Sequence, residues 1–179
     1  MLKHYFPDRL FDPELMTLET FNAPAIATSL SRINRWQGNG LFPLSVAQHS
    51  TLLSLIVPQH LRLPALLHDV PEVFCGDTNG VLLREMGHEI EAYQQRILQR
   101  IALIFNFPYA LFQEHHPYDK KIANDERKAL FGHELDPSQL LGVPVEPTSV
   151  DDARRHWLIR LAQLTDDAGA SIQYWQAAA

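Results

Sequence analysis

The chain has 179 residues, of which 46% are hydrophobic and 20% are charged, so one domain of ordinary size can bury a sizeable core. Its formal net charge of −6 argues against a general nucleic-acid-binding protein, which would need a basic face. A single cysteine, Cys75, excludes an intramolecular disulfide and is typical of a reducing compartment. The first ten residues lack the apolar segment of a signal peptide, and no apolar run is long enough to cross a bilayer. We therefore expect a cytoplasmic protein with no membrane segment.

Helical periodicity recurs along the first half of the chain, whereas strand-like alternation is rare. Asn22 followed by Pro24 predicts a helix start. Ser45 is the expected N-cap of the next helix, which Pro58 ends. Pro64 suits the first turn of a third helix, which is predicted to run to residue 69.

The second half of the chain continues this pattern. Apolar residues at helical spacing predict a long core helix from Ile90 to Ile104. Pro117 can open a further helix that carries Ile122 and Leu130 inward.

The end of the chain has a different composition. Residues 135–150 are rich in proline and predict a loop, and 151–179 predict a C-terminal helical segment. Asp151 and Asp152 suit its start because they face the positive pole of the helix dipole. The sequence thus predicts an all-α fold, a compact helical bundle in a single domain with its core at about residues 22–134.

Two polar residues lie where helical spacing calls for apolar ones. His49 is three residues after Val46 and four before Leu53, so it lies on the inward stripe of its helix. Asp125 is three residues after Ile122 and also points inward on this reading. A buried carboxylate is costly unless it is paired or bound to a metal.

The adjacent pair His68 and Asp69 closes a strongly apolar helical run and so emerges from the core at a helix end. Together with His49 and Asp125, this pair gives two imidazoles and two carboxylates from three helices. Such a ligand set suits a divalent ion such as Mn, Fe, Co, Ni or Zn, with open positions left for water and substrate. Taken singly, an inward histidine is usually an ordinary core residue, so the metal site depends on the combination.

This combination resembles the HD-domain phosphohydrolase superfamily. The family's pattern is a His on one helix, a His-Asp pair closing the next, and an Asp on a later helix. The similar segments are residues 33–38 (INRWQG), 45–50 (SVAQHS), 65–72 (ALLHDVPE) with Gly76-Asp77 after it, and 122–125 (IAND). The match covers roughly residues 25 to 130, and the bacterial 5'-deoxynucleotidases are the branch that it resembles most.

The resemblance implies that His49, His68, Asp69 and Asp125 bind one divalent metal ion, which could be Mn, Co, Fe, Ni, Zn or Mg. The last of these four is the least regular match, because the family has a small residue directly before its final Asp and this chain has Asn124. Glu126 is therefore kept as the alternative fourth ligand.

The resemblance also implies roles for residues around the metal. Glu72 and Asp77 are the expected catalytic acid and base, while Arg35 would bind phosphate, Trp36 would stack on a base and Thr78 would donate a hydrogen bond to substrate. Three of these residues also have an ordinary structural explanation. Asp77 could lie in a Gly-Asp turn that caps a helix. Arg35 could form a surface salt bridge, and Trp36 could be an aromatic residue of the core.

The activity that the resemblance implies is metal-dependent phosphomonoester hydrolysis, with a small phosphorylated substrate such as a (deoxy)nucleoside 5'-monophosphate and no nucleic-acid polymer. A homodimer is a reasonable expectation. One alternative is a two-metal phosphodiesterase or oxygenase, because His88, His115 and His116 fall where some HD proteins carry extra histidines. Another is a non-catalytic nucleotide-sensing or structural domain. The Gly-Tyr-Pro signature of cyclic-dinucleotide enzymes is missing from the sequence, which disfavours that branch.

Overall fold

A computed structural model describes residues 3–78 and 80–166. Helices make up most of the described chain, which confirms the expected all-α fold. In chain order its elements are the antiparallel strands β1 (His4–Tyr5) and β2 (Leu10–Phe11), then α1 (Ala23–Arg32), α2 (Val46–Ile56), α3 (Arg62–Leu67), α4 (Glu72–Cys75), α5 (Gly80–Met86), α6 (His88–Ile104), α7 (Leu111–Glu114), α8 (His116–Phe131) and α9 (Val150–Asp166). Short 3-10 turns lie between several of them.

The first two helices begin at the predicted caps. The side chain of Asn22 accepts a hydrogen bond from the backbone N–H of Ala25, and that of Ser45 accepts one from the N–H of Gln48. Each bond satisfies a donor that the first helical turn leaves free. The cap at Ser45 also sets the register of α2, and with it the inward direction of His49.

The core forms where α2 packs against α1, α3 and α9. Trp157 of α9 is fully buried, and its indole N–H donates to the carbonyl of Leu66 at 3.3 Å. This bond fixes α9 to α3, directly before the His-Asp pair. Ala153, Trp157 and Leu161 of α9 are thus part of the main core.

The helix predicted through Asp69 ends earlier, at Leu67. Residues 68–71 form a turn, and α4 begins at Glu72. Pro71 explains the interruption because it has no N–H to donate to the carbonyl of Leu67. The break places the His-Asp pair at a bend in the backbone instead of on a continuous helix.

The chain between α8 and α9 is an irregular connection with one 3-10 turn at Pro137–Gln139. It packs back on α2, where the side-chain amide of Gln48 donates to the carbonyl of Glu146 at 2.7 Å. Of the predicted C-terminal segment, α9 covers the part up to Asp166, and 167–179 lie outside the described residues.

Within 3–78 and 80–166, every helix is too short or too polar to cross a lipid bilayer.

Candidate metal centre

Three parts of the chain meet at one point in the interior. α2 supplies His49, the turn after α3 supplies His68, and the first half of α8 supplies Asp119. One ligand atom from each of these residues lies within 4.8 Å of the other two, so this group could hold a metal ion. Asp69 lies beside the group, with Oδ1 at 2.9 Å from Nε2 of His68 and Oδ2 at 3.6 Å from Nε2 of His49.

The imidazole of His49 is fully buried and has two different partners. Its Nδ1 lies 2.5 Å from Oε1 of Glu126. Burial raises the pKa of this carboxylate, but His49 and Arg35 lower it more strongly, so Glu126 is ionised. An ionised carboxylate can only accept, so Nδ1 carries the proton and donates it to Glu126. The Nε2 atom lies 3.1 Å from Oδ1 of Asp119 but has no hydrogen bond of acceptable geometry within the described chain.

His68 is oriented in the same way by a different acceptor. Its Nδ1 lies 2.8 Å from the carbonyl oxygen of Ala65, which can only accept, so the ring proton is on Nδ1. The lone pair of Nε2 then faces carboxylate oxygens, at 2.9 Å from Asp69 and 3.9 Å from Asp119.

In these tautomers, two imidazole lone pairs face two carboxylates. Acceptors do not stabilise one another, so a cation must lie between them, either a proton on an imidazole or a metal ion. Divalent metals are commonly bound by imidazole nitrogens together with carboxylate oxygens. In such sites the second nitrogen of each imidazole usually donates a hydrogen bond that orients the ring. The residues present therefore fit a metal ion.

Asp125, predicted as the fourth ligand, does not face this group. Its two carboxylate oxygens accept hydrogen bonds from the backbone N–H groups of Leu141 and Gly142, at 3.0 and 3.2 Å. The side chain is buried as predicted, but it anchors the connection between α8 and α9. The prediction of Asp125 as a ligand was wrong, and Asp119 takes the place expected for it.

Glu126, the alternative fourth ligand, is fully buried beside the group instead of within it. Besides the proton from His49, it accepts hydrogen bonds from Nε of Arg35 at 2.9 Å and from the indole N–H of Trp36 at 3.0 Å. The carboxylate therefore contacts a candidate ligand without being in the ligand group itself.

The charges of the site shift its pKa values in opposite directions. Burial and the nearby Arg35 lower the pKa of His49, but Glu126 and Asp119 outweigh them and raise it to about 9. Burial raises the pKa of Asp119, yet the two imidazoles and Arg35 hold it far below its usual range. Burial also raises the pKa of Asp69, but nearby charges, chiefly that of His68, lower it more strongly. The metal-free site thus favours a proton on His49 between ionised carboxylates.

A cavity of about 290 Å³ opens beside the group. It is lined by all the residues for which the resemblance implied a catalytic or substrate-binding role, together with two candidate metal ligands and three neighbours: Glu72, Asp77, Arg35, Trp36, Thr78, Asp69, Asp119, Gln37, Gly80 and Ala123. Burial, followed by the charges of Asp69 and Asp77, raises the pKa of Glu72 well above its usual value. Burial also raises the pKa of Asp77.

The loop that carries Arg35 and Trp36 has an unusual backbone. Trp36 and Gln37 have φ angles of 57° and 52°, in the left-handed region that non-glycine residues rarely adopt. The Trp36 ring packs edge-on against Phe131, and the guanidinium of Arg127 lies 5.6 Å from its centroid. The indole is thus held by α8, which limits how it can stack on a substrate base.

Within 3–78 and 80–166, the extra histidines do not form a second metal-binding group. Within the described residues, the group of His49, His68 and Asp119 is the one with metal-binding geometry. His115 is buried and packs edge-on against His68 with ring centroids 4.6 Å apart. Burial and then His68 lower the pKa of His115 to about 3, so it is a neutral ring that supports the ligand next to it.

A larger groove of about 500 Å³ lies elsewhere, between α2, the α8–α9 connection and α9. Its walls are mainly apolar, with Leu52, Leu55 and Ile159 among them, and the candidate ligands are not part of its lining. Convergent titratable groups mark a reactive site better than volume does, so the smaller cavity is the candidate functional site.

Asp119 was missed although the sequence carries a signal for it. A helix turns about 100° per residue, so Asp119 and Glu126, seven residues apart, lie on nearly the same side of α8. Ile122, between them, is fully buried on that side. Asp125 is rotated about 100° from Glu126 and so faces a different neighbour.

Comparison with known proteins gives partial matches. No family model matches the chain. The uncharacterized protein YfdR of Escherichia coli (strain K12) is 37% identical over 82 residues, which are 46% of this chain and 43% of that protein. An uncharacterized protein of Rhodobacter capsulatus is 32% identical over 111 residues, 57% of this chain and 55% of the other. The chain thus spans about half the length of these curated relatives.

Proposed function

We propose that this chain is a metal-dependent phosphomonoesterase of the HD-domain type that acts on small phosphate esters such as (deoxy)nucleoside 5'-monophosphates. The observation that supports it most is the cluster of His49, His68 and Asp119, because Asp119 also lines a cavity to which Arg35 and three further carboxyl groups contribute. The resemblance of segments 45–50 and 65–72 to that superfamily supports the same chemistry.

The charge of the cavity supports a metal-bound phosphate. Four carboxyl groups line the cavity, those of Asp69, Glu72, Asp77 and Asp119, against the one guanidinium of Arg35. A phosphate dianion would be repelled by such a surface unless a divalent cation compensated the negative charge. A bound metal ion would supply that charge and would lower the pKa of a water molecule.

The chain's own residues can divide the remaining work. Arg35 presents a planar cation to the cavity and can bind phosphoryl oxygens with two parallel hydrogen bonds. Glu72 has an unpartnered buried Oε2 among the described residues and a raised pKa, both of which suit a group that holds a proton near neutral pH. Asp77 and Thr78, on the chain that follows α4, can orient the leaving oxygen.

The proposal is tested with the purified full chain, stripped of metal and reloaded with Mn²⁺, Co²⁺ or Mg²⁺. Phosphate release is measured with a panel of nucleoside 5'-monophosphates and an aryl phosphate. We expect activity that requires a metal and that is lost in Asp69→Ala, while Glu134→Ala, which removes an exposed acid, keeps it.

Two results would contradict the proposal. Activity that survives Asp69→Ala would remove the role of the metal centre. If the chain releases no phosphate with any metal, yet a monophosphate raises its melting temperature, the domain is a nucleotide sensor.

A further inference from the structure

Glu126 joins two parts of the site that are far apart in sequence. Its Oε1 accepts the proton of His49 Nδ1, and its Oε2 accepts hydrogen bonds from Arg35 and Trp36. The carboxylate is fully buried, so water does not compete for these bonds. One side chain therefore contacts both a candidate metal ligand and the loop that carries the candidate phosphate ligand.

On the metal side, the hydrogen bond from Nδ1 fixes which nitrogen of His49 is free to bind a metal. With the proton on Nδ1, the Nε2 lone pair points towards Asp119. A carboxylate partner at this position also makes the imidazole a stronger ligand, and loss of such a partner typically lowers metal affinity about 10- to 100-fold.

On the substrate side, Glu126 holds a loop whose backbone is strained. Two consecutive non-glycine residues, Trp36 and Gln37, adopt left-handed conformations, which persist when surrounding contacts enforce them. The bonds from Nε of Arg35 and the indole N–H of Trp36 are such contacts. With its Nε bound to Glu126, Arg35 has its other guanidinium nitrogens left for the cavity, one of them 3.9 Å from Asp69.

We propose that Glu126 is a positioning residue that couples metal binding by His49 to phosphate binding by the Arg35–Trp36 loop. This proposal rests on the proposed function, because it assumes a metal and a phosphate at this site. A metal ion that keeps His49 in its ligating tautomer keeps Glu126 in place, and Glu126 then holds Arg35 for phosphate. By linkage, phosphate must strengthen metal binding by the same factor.

Glu126→Gln tests the proposal because a carboxamide cannot serve both sides. If its oxygen accepts from Arg35 and Trp36, its NH₂ group faces Nδ1 of His49 and favours the tautomer with the proton on Nε2, which cannot bind a metal. If the amide is flipped, the NH₂ group faces two donors and the loop loses its acceptor. Either orientation therefore removes one of the two contacts, that with His49 or that with the Arg35–Trp36 loop.

The measurements are the dissociation constant of Mn²⁺ and that of inorganic phosphate with and without saturating Mn²⁺, by calorimetry on the full chain. For Glu126→Gln we expect Mn²⁺ affinity to fall about tenfold or more, and Mn²⁺ to lose most of its effect on phosphate affinity. Asp125→Asn is the matched control, since it alters a neighbouring buried carboxylate that contacts Leu141 and Gly142, and it should keep both constants. Unchanged constants in Glu126→Gln would overturn the proposal.

Trp36→Phe is the second variant, in case Glu126→Gln does not fold. It removes one donor to Glu126 without touching His49 or the ligand group. We expect a loss of Mn²⁺ affinity of about threefold, the size of one hydrogen bond, and a structural role of Trp36 alone would leave that constant unchanged. These experiments measure binding and not turnover. If the protein binds Mn²⁺ and phosphate with the expected coupling but hydrolyses no phosphate ester, the proposed function is refuted and the coupling is not.

Discussion

Nε2 of the fully buried His49 and Oδ1 of the half-buried Asp119 lie 3.1 Å apart. The two atoms come from α2 and α8, and both are acceptors when His49 donates its Nδ1 proton to Glu126. A pair of this kind is stable with a cation at the nitrogen. In the metal-free chain this cation is a proton, and in the proposed holoprotein it is the metal ion.

Asp119→Asn should lower Mn²⁺ affinity about 10- to 100-fold, because it removes the negative charge of a candidate ligand. The measurement is calorimetric titration of the metal-free protein. Asp125→Asn is the control on the same helix, since its carboxylate binds backbone N–H groups of the α8–α9 connection. A large loss in Asp125→Asn with little loss in Asp119→Asn would reverse the assignment.

Metal affinity should increase with pH from about 6.5 to 9. The folded, metal-free chain raises the pKa of His49 to about 9 from an ordinary value of 6.5, so a metal must displace a proton in this window. Calorimetry in buffers of different ionisation enthalpy would give the number of protons released. An affinity that stays constant across this range would contradict the role of His49.

The same shift predicts how the metal-free fold depends on pH. Because the folded pKa of His49 lies above the unfolded one, its proton contributes stability that is complete below pH 6.5 and is lost as the pH rises towards 9. Chemical denaturation of the metal-free chain at pH 6.5 and pH 9 should show this loss. Saturating Mn²⁺ should reduce it, since the metal then replaces the proton.

The sequence predicts the parts of the site that single helical faces determine. Ser45 sets the start of α2, so the spacing from Val46 to Leu53 places His49 inward, and the apolar run before residue 68 brings the His-Asp pair out of the core. On α8 the spacing is ambiguous. Both Asp125 and Glu126 are buried there, but they face different neighbours, which periodicity alone does not distinguish.

Other features depend on contacts between distant segments. The bonds of Asp125 to the 141–142 backbone require the α8–α9 connection to fold back, which no local pattern indicates. The small β1–β2 sheet consists of two-residue strands, too short for alternation to appear. The left-handed residues 36 and 37 are not glycines, so their residue types do not predict this backbone conformation.

Glu72→Gln should reduce the turnover number about 10²- to 10⁴-fold, the usual contribution of a general acid or base, with Mn²⁺ affinity almost unchanged.

The same variant should make the metal-free chain more stable at pH 8. Burial, Asp69 and Asp77 raise the pKa of Glu72, so the fold loses stability as the pH rises from the unfolded pKa of this group towards its higher folded pKa, and a neutral amide removes that loss. Thermal melts measure this effect. Glu85→Gln, which alters an exposed acid on α5, is the control for both measurements, and a fully active Glu72→Gln variant would exclude Glu72 as the proposed catalytic group.

Arg35→Lys should weaken binding of inorganic phosphate to the Mn²⁺-loaded chain about tenfold or more, although the charge is kept. The guanidinium donates through Nε to Glu126 and extends its other nitrogens towards the cavity, whereas an ammonium is a single point that cannot do both. Charge-assisted hydrogen bonds are strong enough for an effect of this size. Arg32→Lys, at the exposed end of α1, should bind phosphate like the unmodified chain. If Arg35→Lys binds phosphate equally well, the planar shape of Arg35 has no role in phosphate binding, and its charge alone is sufficient.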